Sequence, residues 1–192
     1  MPSGAKIESF LIPWDESDKA MRDQQRSALD SALIIIAQQQ NIRKNAADLV
    51  LRDTLPGTDL QINNGGSTPA YLENWTIPAA LTAGTEATYF NPTMPNYRAV
   101  GFYSVGSPAA NPSITRIKFT FGNSVVAVFQ TELLFLQEQP YGYLNTYQAV
   151  LPDQPITCSV MPKLSVAAST EPLTFGARTV EPVGQFLTNG VS

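Results

Sequence analysis

The chain changes its hydrophobic pattern twice. Residues 1–14 show no helical period: "FLIPW" sets Phe10, Leu11, Ile12 and Trp14 around Pro13. So apolar a segment is costly in water unless it docks on something. It reads as an extended arm that either folds back over its own core or reaches a partner. Residues 15–44 read as a helical segment, with the helix itself over 15–40. Asp15 is a candidate N-cap, and Glu16 and Asp18 put negative charge in the first turn, where the helix dipole favours it. Ala28, Leu29, Ala32, Leu33, Ile35 and Ile36 recur at spacings of three and four and predict one broad apolar face. The half before them, "DKAMRDQQR", is polar, with Met21 alone on the stripe. That half is solvated or meets something polar.

From residue 45 the pattern becomes that of strands and turns. Pro-Gly at 56–57 and Gly-Gly at 65–66 are followed by "TAGTE", "NPTMPN", "GSPAANPS", "FGNS", "EQPYG" and "LPDQP". Glycine supplies positive φ and proline presets the first turn position, so these are turn signals. Between them lie short runs rich in Val, Ile, Phe, Tyr and Thr, which predict a sandwich or barrel over 45–192. "ITRIKFTF" (114–121) alternates cleanly, with Ile117, Phe119 and Phe121 inward and Arg116, Lys118 and Thr120 outward. "YRAVGFYSV" (97–105) is apolar on both faces. "VVAVFQTELLFLQ" (125–137) is apolar on both faces except in its middle. It reads as a core strand, either central with both faces covered or curved, with Gln130–Glu132 as the place for a split. Phe129, Leu133 and Phe135 join the predicted core. Tyr141 and Tyr143 flank Gly142 in "QPYGYL"; apolar rings with polar tips suit a subunit interface or the cap of a sandwich.

Charge sharpens this picture. Residues 1–60 hold 7 Lys/Arg and 9 Asp/Glu, whereas residues 61–192 hold only 5 and 7. A solitary domain carries more surface charge than this, so the C-terminal part reads as partly covered by neighbours. A net charge of −4 gives no basic footprint for nucleic acid. No stretch approaches the 18 apolar residues of a membrane span, and the first residues do not read as a signal peptide.

Enzyme chemistry finds few residues to carry it. There is no histidine, so the commonest general base, the Ser-His triads and the usual zinc ligands are missing. The single cysteine, Cys158, alternates with Ile156 and Val160 and reads as a small buried hydrophobe. Glu132 and Glu138 as a glycosidase pair, or Asp53 and Asp59 as metal ligands, are weaker readings than solvated carboxylates and a turn. Asn74 in "NWT" fits a glycosylation tripeptide that also occurs by chance. The expectation is a protein that is no enzyme and takes no cofactor or metal.

An apolar arm, a helix and a low-charge β domain resemble the capsid decoration (cement) proteins of tailed phages and related virion structural proteins. The stretches that carry the resemblance are "LVLRDTLPGTDL" (49–60), "WTIPAALTAGTEATYF" (75–90), "NYRAVGFYSV" (96–105), "ITRIKFTFG" (114–122), "QPYGYL" (139–144) and "PVGQFL" (182–187). It implies a mainly β chain, with a jelly-roll-like β-sandwich preceded by the arm and one long α-helix. It also implies a homo-oligomer, with a trimer favoured, that binds major capsid protein in the virion after synthesis in the host cytoplasm. Neither nucleic acid nor membrane is expected as a partner. Phe10, Leu11, Ile12, Trp14, Met21, Tyr141 and Tyr143 are the expected contact residues. The competing reading is a carbohydrate- or receptor-binding sandwich of a tail or fibre, with Tyr71, Trp75, Tyr89, Tyr97 and Tyr103 as a stacking platform.

Overall fold

The computed structural model describes residues 11–13, 19–62, 70–71, 75, 77, 79–107, 109, 112–131 and 141–185. The chain is mainly β, and its strands form a jelly-roll-like sandwich. One sheet has the order β1-β9-β6-β11-β2 and the other β5-β10-β7-β8. The strands are β1 (Leu11–Pro13), β2 (Leu49–Asp53), β3 (Gln61–Ile62), β4 (Ala70–Tyr71), β5 (Ala87–Phe90), β6 (Ala99–Gly106), β7 (Ile114–Phe121), β8 (Ser124–Gln130), β9 (Tyr141–Val150), β10 (Ile156–Pro162) and β11 (Thr174–Pro182). Every pairing is antiparallel. The pairs nest: β7 with β8, β6 with β9, β5 with β10, and β2 with β11. Such nesting is one long chain hairpin rolled over itself, the double-Greek-key arrangement of jelly rolls. β3 and β4 form a separate two-stranded ribbon.

The core is aromatic. Phe102 on β6 meets Phe119 on β7 at 5.1 Å between ring centroids, and Phe119 meets Phe175 on β11 at 5.5 Å. These contacts join the two sheets. The alternation of β7 is as predicted: Ile117, Phe119 and Phe121 are buried, and Arg116, Lys118 and Thr120 face outward. Gly122, at φ 58°, takes the left-handed turn that reverses the chain into β8. Phe129 is buried too; Leu133 and Phe135 lie outside the described residues. Cys158 is buried in the same core, and burial pushes its thiol pKa up.

The helix α1 (Lys19–Gln39) lies on the outer face of the five-stranded sheet. Its buried face is narrower than the six-residue stripe expected. Leu29, Leu33 and Ala37 are buried against Ala99 and Val180, while Ala28 is exposed and Ile35 is 51% exposed. A straight helix on a sheet touches it along one line of residues four apart, so positions turned well away from that line reach water. The candidate cap at Asp15, Glu16 and Asp18 lies outside the described residues. α1 also accounts for the two-faced strand at 97–105. Val100 and Phe102 enter the sandwich, while Ala99 meets the helix. Gly101 faces the helix as well, and a Cβ there would overlap the Leu29 side chain.

For the stretch at 125–137 the central alternative fails, while the break expected near Gln130–Glu132 falls where β8 ends; residues 132–137 lie outside the described residues. β8 is an edge strand, not a central one, and it ends at Gln130. Ala127 and Phe129 face the core, but Val125 and Val128 face water. A register shift opposite Phe119/Thr120 places Val125 outward. Thr131 then closes the strand by hydrogen bonds to Thr115 and Ile114.

Candidate functional site

The expected contact residues come from three distant parts of the sequence, and the structure gathers several of them at one corner. β1 adds to the rim of the five-stranded sheet beside β9, with Leu11 opposite Leu144, Ile12 opposite Tyr143 and Pro13 opposite Gly142. The described part of the arm is thus an edge strand of its own chain's sheet. Phe10 and Trp14 lie outside the described residues. Pro13 suits an edge position, because it has no N–H to give to a further strand.

β9 carries tyrosines on the face that α1 occupies. Tyr143 packs beside Tyr103 of β6, with 6.1 Å between ring centroids. Tyr141 is 43% exposed and its ring lies over Gly106, directly across the ladder. The Tyr103 ring covers Gly176 in the same way. Glycines at these two positions leave room for rings to lie flat on the neighbouring strand. Burial raises the phenol pKa of Tyr103 and of Tyr143, so both stay neutral and able to donate hydrogen bonds at neutral pH.

The polar first half of α1 borders this patch. The stripe that carries Leu29 and Leu33 continues back through Gln25 to Met21, each four residues apart. The Gln25 amide donates to the Leu144 carbonyl at 3.3 Å, and Met21 is half-buried one turn beyond. Further along, Arg178 of β11 ties the helix to the sheet through Asp30 at 2.9 Å and reaches Asp53 at 2.9 Å. In the polar first half, Gln25 and Arg26 reach the sheet, Arg26 through Asp53 of β2 at 3.4 Å, while Asp23 and Gln24 are exposed. The corner presents rings with hydroxyl tips, a methionine and amide groups. With Lys19, Arg22, Asp23 and Arg26 on the adjoining turns of α1, it offers aromatic contact area with a charged border, which suits a protein partner.

Sequence reasoning missed Tyr103 as a member of this patch, although its place on an apolar-both-sides strand was a usable signal. It also missed a buried charge cluster at one end of the sandwich. Arg52 of β2 binds Asp59 at 2.6 Å and Glu181 of β11 at 2.7 Å, and Arg98 binds the same two carboxylates at 2.8 Å each. Asp59 also accepts from the Leu55 backbone N–H. The side chains of Asp59 and Glu181 are 0% and 1% exposed. Burial disfavours the Arg52 cation, yet the hydrogen bonds it donates to Asp59 and Glu181 outweigh that and hold its pKa above the ordinary value. Two cations and two anions close on themselves, which makes this cluster a structural fastening. Asp59 ends a helical turn, Pro56–Asp59, in keeping with a turn at 52–59.

The five aromatics of the competing reading do not form one surface. Tyr89 is fully buried, its hydroxyl donating to the Leu173 carbonyl at 2.6 Å, and Trp75 packs on Phe175. Tyr97 stacks beside Arg98, Tyr103 lies under α1's sheet face, and the Tyr71 side chain is outside the description. Glu132, Glu138 and Asn74 also lie outside the described residues. Among the described residues no three metal-binding side chains gather, and no helix is long and apolar enough to cross a membrane. No protein-family model matches the chain, and neither does any curated protein.

Proposed function

We propose that this chain is a virion structural protein, a capsid decoration protein that binds major capsid protein and stabilises the shell. The observation that carries the reading is the nested strand order of the sandwich, β2 with β11 out to β7 with β8. Jelly rolls of this kind are common building blocks of viral shells. Two further features support it. The arm strand β1, the β9 tyrosines and the start of α1 converge on one corner. Low charge over residues 61–192 keeps contacts insensitive to salt. A decoration protein needs contact area of this kind and no catalytic group.

In this reading the chain acts as a homo-oligomer on the capsid, without nucleic acid or membrane as partner. The corner built from Leu11, Ile12, Met21, Tyr141 and Tyr143 meets the shell. The deciding experiment is quantitative mass spectrometry of purified virions. A copy number in proportion to major capsid protein supports decoration. A few copies per particle would indicate a tail or fibre component, and absence from the particle would overturn the reading.

A further inference from the structure

α1 is fastened unevenly along its length. In the second half Leu29, Leu33 and Ala37 are fully buried, Arg178 holds Asp30 at 2.9 Å, and Ile42 past the helix end is buried in the same cluster. Of the described residues 19–28 none is buried. They meet the sheet through half-buried Met21, the Gln25 amide and the Arg26–Asp53 bridge of 3.4 Å, which is exposed on both sides. Exposed bridges of this kind contribute little. Lys19 pairs with Asp23 on the helix itself, so that bridge does not tie the helix to the sheet. Gln25 also carries a cost. It occupies the stripe of Leu29 and Leu33, and its Oε1 is buried without a hydrogen-bond partner among the described residues. A buried acceptor left unpaired has lost water without replacement, which favours any state that returns it to solvent. Two rings lie beneath this half of the helix. Arg26 and Asp30 of α1 act on the Tyr103 phenol, and Arg22, Arg26 and Asp23 on that of Tyr143.

We infer that residues 19–28 of α1 are a lid that opens as one unit about Leu29, baring Tyr103 and Tyr143 while the second half of the helix stays docked. An isolated helix shorter than about 12–15 residues is marginal in water, so the lid unwinds as it lifts. Opening returns the Gln25 oxygen to water and gives up no fully buried side chain of α1. Leu29, Leu33 and Ala37 mark where it stops, because unwinding beyond residue 28 would expose the apolar contact with Ala99 and Val180. The opening belongs to the chain alone. Its use rests on the decoration proposal, in which the lid withholds Tyr143 from the shell until contact is made.

The test is native-state hydrogen exchange of the full-length protein, read at single amides by NMR. The amides of residues 23–28 close the turns of the lid, since each helical N–H bonds four residues back. They are expected to share one protection factor, at least about tenfold below that of residues 33–37. Gln25→Leu removes the unpaired oxygen and extends the apolar stripe. It should raise the protection of residues 23–28 together by about tenfold. Nitration of Tyr103 by tetranitromethane should slow by the same factor, and that of exposed Tyr141 should not change. Should Gln25→Leu misfold, Gln25→Met, unbranched like glutamine, serves the same purpose. Three results overturn the inference: protection that rises step by step from residue 23 to 28, as in ordinary end fraying; equal protection along the whole of α1; or exchange unchanged in the folded variants. Exchange is measured on the protein alone and copy number on virions, so the lid and the decoration reading fail separately.

Discussion

Phe119 lies at the junction of both sheets, against Phe90, Phe102, Phe129 and Phe175. Phe119→Ala should therefore destabilise by about 3–5 kcal/mol, the range for deleting a filled aromatic core position. Urea denaturation checks this, and a loss below about 1 kcal/mol would mean the ring is not packed as described. Glu181→Gln tests a different kind of residue. It keeps the shape but leaves two guanidinium groups sharing one carboxylate, which should cost about 3–5 kcal/mol, as breaking a buried ion pair does. A near-neutral result in the same assay would show that Asp59 alone suffices. Phe119 was legible in the sequence, because strict alternation in "ITRIKFTF" encodes its face locally. Glu181 was not. Its cluster joins side chains from β2, the turn after it, the start of β6 and β11. No local spacing marks charges that meet only after the chain has rolled up.

At the scale of elements, α1 was legible and its orientation only partly so. Spacings of three and four fix a helix, but the sheet beneath decides how wide a face is covered. Leu33→Ala should cost about 2–5 kcal/mol and expose α1 amides to hydrogen exchange; Ile35→Ala, at an exposed site, should do neither. Gly101→Ala should loosen the same contact by about 1–3 kcal/mol, because the added methyl meets the buried Leu29 side chain. The central alternative for β8 fails because an edge strand and a central one can share a composition; register and neighbours separate them. Across the outer face of its sheet, Glu86 joins β5 to β7 through Lys118 and Arg116. The Lys118 hydrogen bond, working against partial burial, holds the Glu86 carboxyl below its ordinary value of 4.5. A lowered carboxyl stabilises the fold above the unfolded value and loses that effect as pH falls through the folded one. The stability gap between wild type and Glu86→Gln should thus be full near pH 6 and close as pH drops below about 4.5. A gap that persists in strong acid would assign it to packing instead.

For the whole molecule, the decisive prediction concerns the arm. Deleting residues 1–14 removes β1, a three-residue edge strand, and leaves the eight nested strands and α1 in place. Far-UV circular dichroism should stay unchanged, while, under the decoration proposal, addition to capsids lacking the protein should be abolished. Unfolding of the truncated chain would make the arm part of its own core. Undiminished decoration would move the contact to the sandwich, with Tyr141 and Tyr143 the next residues to alter. The sequence marked arm, helix and sandwich as separate segments and chose contact residues in each. It could not show that Ile12 and Tyr143 face each other across a ladder, since 130 positions separate them and only the completed sheet brings them together.

The buried charge cluster has a consequence for behaviour on heating. Water solvates ions less well as temperature rises, so the penalty for burying Arg52, Arg98, Asp59 and Glu181 shrinks, while apolar burial gains little more. The sandwich is thus fastened at one end by an interaction that strengthens with temperature and through its middle by aromatic packing that does not. Replacing all four charges with apolar residues of similar volume would leave stability near 25 °C about the same or higher. The charged form would regain ground as the temperature climbs. A sandwich built this way trades a little strength at rest for endurance in a hot environment.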